Sequence, residues 1–134
     1  MTTENNKIIA EFMIKQEPTE NFCVGSIGQE VGVFTGIKTE YFKYEDLKFH
    51  SDWNWLMEVV EKIEQTTIKE TYGQFNEKES NAIVSVVIEN KFCQILSNGI
   101  YLNEIVSENE ETKIEAVYNA CLEFIKWYNK QNKV

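Results

Sequence analysis

Arginine does not occur in this chain of 134 residues: all 13 basic side chains are lysines, set against 22 carboxylates, for a formal net charge of −9. Proteins that bind nucleic acid directly lay a basic footprint on it and use arginine for bidentate contacts to phosphates and base edges. Both are missing, so no direct nucleic-acid binding is expected. Histidine occurs once, as His50. Ser51 and Asp52 follow it, but neighbours along a chain do not converge on one reacting atom, which argues against a Ser–His–Asp relay. Cys23, His50, Cys93 and Cys121 lack the C-x-x-C pairs of a structural zinc site. The cysteines, odd in number and set in apolar stretches, read as buried thiols of a reducing cytosol. Long hydrophobic runs are also missing. Residues 82–88 are broken by Ser85 and are too short to span a bilayer. The opening Met1-Thr2-Thr3-Glu4 puts acid where a secretory leader puts positive charge, so no membrane association is expected.

Glycine and proline are scarce too, at 6 and 1, which leaves no room for linkers or low-complexity segments. Gly25, Gly28, Gly32 and Gly36 do not make a dinucleotide fingerprint, and Ile37 breaks the G-K-[ST] core of a phosphate loop. Glu58, Glu61 and Glu64 recur at i+3, but a solvated helix face accounts for them, and the other ligands of Mg²⁺ or Ca²⁺ are not in evidence. No catalytic residue, metal ligand or cofactor is predicted, and the chain is expected not to be an enzyme.

What is present is enough apolar material, 43% hydrophobic and 13% aromatic, for one core. A chain of this length forms a single domain, 1–134. Ile8, Ile9, Phe12 and Met13 predict a short amphipathic helix over 4–14. Residues 21–49 hold short apolar pieces between glycines and predict irregular strands and turns. Ser51 or Asp52 can cap a second helix ending near Gln65, with Trp53, Leu56, Met57, Val60 and Ile63 on its core face. Residues 82–88 and 92–96 predict a hairpin whose turn Asn90 can make in a left-handed conformation. Asn98-Gly99 then leads into a third strand over 100–106. Ser107 and Glu110 fit an S-x-x-E capping box for the last helix. Its face carries Ile114, Val117, Tyr118, Cys121, Phe124, Ile125 and Tyr128, with Lys126, Lys130 and Lys133 toward its negative end. The fold class predicted is α+β, a small antiparallel β-meander packed against two to three amphipathic helices.

Two tryptophans stand off these faces. Trp55 falls opposite the core side of the second helix, and Trp127 shares a second stripe of the last helix with Ala116 and Ala120. Either they mark a contact surface for a partner or a second copy of the chain, or the 21–49 segment folds over them. The acidic cluster Glu104, Glu108, Glu110, Glu111 and Glu115 is a further candidate contact for a basic protein, or else a helix N-terminus obeying its dipole.

Three stretches carry a resemblance: Ile9-Ala10-Glu11-Phe12-Met13; Leu47-Lys48-Phe49-His50-Ser51-Asp52-Trp53-Asn54-Trp55-Leu56-Met57 running into Val59-Val60-Glu61-Lys62-Ile63-Glu64; and Lys113-Ile114-Glu115-Ala116-Val117-Tyr118 with Glu123-Phe124-Ile125-Lys126-Trp127-Tyr128-Asn129. Together they resemble a family of short proteins encoded by phages, prophages and related mobile elements of AT-rich bacteria. Members often have proline where Glu58 stands. The resemblance implies a genomic setting in which small acidic proteins act by binding, often to block host defence as anti-CRISPR proteins do. It implies as partner a basic host protein, such as a CRISPR effector or another nucleic-acid enzyme. A small-ligand or catalytic site near residues 21–52, and an oligomeric phage assembly component, are the alternatives.

Overall fold

The computed structural model describes residues 2–75 and 77–132 and builds them into three helices and two antiparallel sheets. Helix α1 (Thr2–Ile14) buries Ile9, Ala10, Phe12 and Met13. The segment expected to be irregular is a regular three-stranded meander, β1 (Cys23–Ile27), β2 (Glu30–Phe34) and β3 (Thr39–Phe42). Its tight turns rest on two glycines in the left-handed region, Gly28 at φ 60° and Gly36 at φ 97°, where a side chain would be strained. Val24, Val31 and Val33 face the core from this sheet.

A one-turn 3₁₀ helix, Tyr44–Asp46, leads to α2 (Trp53–Glu64), capped by Asp52, whose Oδ1 accepts from the backbone N–H groups of Asn54 and Trp55. The buried side of α2 is the expected one only in part: Leu56, Val60 and Ile63 lie inside as expected, but the edges of the face differ. Trp55, Leu56, Val59, Val60 and Ile63 are buried, whereas Trp53 and Met57 are 39% and 42% exposed. The apolar arc of this helix is wider than one packing face, and periodicity alone does not say which edge meets the core. The β1–β3 sheet and its flanking loops decide it by covering Trp55.

The second sheet has four strands in sequence order: β4 (Thr67–Tyr72), β5 (Lys78–Glu89), β6 (Phe92–Asn98) and β7 (Leu102–Asn109). Asn90 turns the β5–β6 hairpin at φ 51°, the left-handed conformation its sequence suggested. Strand β4 adds a strand to the expected meander, and β5 and β7 run longer than expected. β4 begins opposite Ile83; beyond that residue the edge of β5 continues alone, and the Val86 N–H donates to Glu64 of α2 at 3.3 Å. A bulge between Ile95 and Leu96 sets Ile105 as the extra residue of β7.

Helix α3 (Lys113–Gln131) is capped by Thr112, whose Oγ1 accepts from the Glu115 N–H at 3.3 Å and donates to the Glu115 carboxylate at 3.0 Å. The capping box is therefore Thr112–Glu115 and not Ser107–Glu110, because β7 stays paired to β6 as far as Asn109. Lys133 lies outside the described residues. Helix α3 packs on β6 and β7 and also on α1 and α2, which explains why Ala116 and Ala120 are fully buried beside its main apolar stripe. Buried residues of all three helices and both sheets form one hydrophobic cluster.

A polar node ties the layers together. Asn6 of α1, fully buried, donates to the carbonyls of Tyr44 and Leu47 at 3.0 and 3.3 Å and accepts from the Tyr118 hydroxyl at 3.2 Å. Burial pushes the Tyr118 phenol up to about 12. Lys62, 4% exposed, donates from Nζ to the Glu17 carbonyl at 2.6 Å and so anchors the loop after α1. Among the described residues no helix is long and apolar enough to cross a membrane.

Candidate functional site

The fold distributes the residues singled out from sequence over three places: Trp55 in the core, Glu108, Glu110, Glu111 and Glu115 around the start of α3, and Trp127 with Glu104 at one cavity. Trp55 is 6% exposed, its indole ringed edge-on by Phe22, Phe42 and Phe49 at 6.0, 5.2 and 5.2 Å. Its assignment to an outward face is corrected: it is the aromatic centre of the contact between α2 and the first sheet, with no surface to present. Glu115 caps α3 together with Thr112. Glu110 and Glu111 lie in the short link before α3, and Glu108 near the end of β7. The Glu108 carboxyl is held above the ordinary carboxylate range, first by desolvation and then by the charges of Glu110 and Glu123. The acidic cluster thus reaches across to Glu123 on α3, while Glu104 stands apart from it in the middle of β7. His50 is exposed, its ring against that of Tyr118 at 6.1 Å, and no carboxylate group gathers around it among the described residues.

Trp127 and Glu104 come together at a cavity of about 580 Å³ between the last turn of α3 and one end of the second sheet. Trp127 is half-buried and leans on Phe124, the ring centroids 5.8 Å apart. Ile68 and Ile105 give the cavity apolar wall, and the amides of Asn81, Asn103, Gln131 and Asn132 give it polar wall. Glu104 lines it while its Oε1 accepts from the Gln94 side chain.

A residue that no sequence motif flagged is the centre of this end of the sheet. Glu70 of β4 falls in the inward row with Ile68 and Tyr72, since alternate residues of a strand share a face. Its Oε2 accepts from the Ser97 hydroxyl at 3.0 Å and from the Asn103 amide at 2.9 Å. Its Oε1 is buried with no hydrogen-bond partner among the described residues, and so is the hydroxyl of Ser80, its cross-strand neighbour on β5. Gly99 makes the space: a Cβ there would run into the Glu70 carboxylate and come within 3.0 Å of the Ala82 Cβ. None of the three ion pairs among the described residues involves Glu70 or Glu104; the nearby Lys69 pairs with Glu79 at 3.7 Å.

Comparison of the chain with protein-family models, with curated proteins and with solved structures yields no match.

The 21–52 region does carry a shallow cleft, lined among others by Lys48, Asp52, Glu58 and Trp55. The Glu58 carboxyl there is raised by desolvation and by Glu61, against the lowering effect of Lys62. Asp52 is engaged in capping α2, and His50 is not among the residues of the cleft. Two of the three thiols, Cys93 and Cys121, are buried. Burial pushes Cys93 up to about 11 and Cys121 well above the ordinary thiol range, and only Cys23 is half-exposed.

Proposed function

We propose that this chain is a non-enzymatic binding protein whose acidic surface engages a basic protein, the class of target being a nucleic-acid-handling enzyme of a bacterial host such as a CRISPR effector. One observation carries the reading: Trp127 and Glu104 line one cavity with the inward-facing Glu70, whose charge has only neutral partners among the described residues. Tryptophan anchors and unpaired carboxylates are what a cationic partner surface would meet. The net charge of −9 favours encounter with basic proteins in general, and the phage-like stretches supply the host setting.

The test is affinity capture from a bacterial lysate over a salt series, with the wild-type chain and Trp127→Ala side by side. A basic protein should be retained by the wild type, released as salt rises, and lost by the still-folded variant. Retention indifferent to both salt and Trp127 would defeat the proposal.

A further inference from the structure

We infer that the cavity beneath Trp127 is a site for a primary alkylammonium group, with Glu70 as its counter-charge. The inference rests on the basic partner proposed above, since a lysine side chain is one source of such a group; a free aliphatic polyamine is the other.

A carboxylate taken out of water on the inner face of a sheet is costly unless a cation or several donors compensate it. Among the described residues Glu70 has two donors, Ser97 and Asn103, both neutral and both on the same oxygen, while the other oxygen is buried without a partner. Lys69, the one lysine lining the cavity among the described residues, falls on the opposite face of β4 from Glu70 and pairs with Glu79 at the surface. A ligand that brings positive charge therefore gains more here than a neutral one of equal size.

The shape of the charge follows from the same contacts. A guanidinium binds carboxylates best through two parallel hydrogen bonds to two free oxygens. Glu70 has no such pair, because Oε2 is already engaged and Oε1 is buried. An ammonium is a compact charge with three rotatable donors: one can take the place on Oε2 now held by the exposed Asn103 amide, which leaves two for the side-chain carbonyls of Asn81, Asn103 or Gln131. Ile68, Ile105 and Trp127 offer apolar surface to an alkyl stem, and the indole is the ring that attracts a cation most strongly. A metal ion is a poorer fit, because no group of three or more His, Cys, Asp or Glu is gathered among the described residues.

Titration calorimetry of the folded chain with N-acetyl-lysine methylamide, its Nε-acetylated form and spermidine tests the site. Saturable binding of lysine amide or spermidine, absent for the acetylated form, is expected, and the stronger of the two names the source. Glu70→Gln should weaken it by about 10- to 100-fold, the range for a lost hydrogen bond to a charged group. Glu79→Gln, which frees Lys69 without touching Glu70, should change it little. Equal binding of the acetylated form, unaltered affinity in Glu70→Gln, or no binding of either amine would overturn the inference. The outcomes separate from those above: lysate capture that survives Glu70→Gln while amine binding is lost leaves the basic partner standing on other residues. Amine binding without any captured protein removes the partner and keeps the site.

Discussion

Replacing each tryptophan in turn distinguishes a core side chain from one that borders a site. Trp55 is 6% exposed and meets three aromatic rings, two of them at 5.2 Å. Truncation to alanine removes the transfer free energy of an indole and leaves a cavity among rings that cannot all collapse into it, a loss of about 3–5 kcal/mol. For a domain whose total stability is about 5–15 kcal/mol, that is a large fraction. With a urea m-value of about 2 kcal/mol/M, the midpoint should fall by roughly 1.5–2.5 M. Trp127 is half-buried at a cavity rim, so Trp127→Ala should cost only about 1–2 kcal/mol. The assay is urea unfolding followed by far-UV circular dichroism on both variants. If Trp55→Ala proves no more destabilising than Trp127→Ala, the packing logic given for α2 is wrong.

Three other outcomes follow from the core. Asn6→Ala should cost about 2–4 kcal/mol, because it strands two carbonyls and a phenol away from water; a loss below about 1 kcal/mol in the same assay would show the node to be solvated. Stability should fall as pH rises from about 9 toward about 12, at up to about 1.4 kcal/mol per pH unit per group, since the unfolded chain releases the Cys93, Cys121 and Tyr118 protons before the folded chain does. Tyr118→Phe should flatten the upper part of that decline, and a stability that rises with pH there would reverse the sign. A thiol reagent under native conditions should label Cys23 alone, with Cys93 and Cys121 reacting only on unfolding; mass spectrometry of the labelled chain reads this directly.

The candidate site was half legible. Trp127 stood out because it fell off the main stripe of α3, and Glu104 because it belonged to a run of acids. Nothing local joined them, as they come from different elements that meet only when α3 lies across the sheet. Glu70 escaped notice for a different reason. It stands in Thr67–Tyr72, a strand hidden by the carboxylate itself, because a charged residue at an inward position spoils the apolar alternation by which strands are recognised. Read the other way, a carboxylate between Ile68 and Tyr72 in an otherwise β-prone segment is the local inconsistency that marks a site worth testing.

Composition and periodicity by themselves determined the α+β class, the three helices, the β5–β6 hairpin and its left-handed Asn90, and the acidic character of the surface. These depend on local sterics, on period and on charge, all of which are written in short windows of the chain. Tertiary structure alone decided that Trp55 is core, that Thr112 and not Ser107 caps α3, and that Glu70, Glu104 and Trp127 share a cavity. Each of those depends on which element lies over which, and an apolar arc wider than one packing face, or a capping pattern that occurs twice, stays ambiguous until a neighbouring layer covers one side of it.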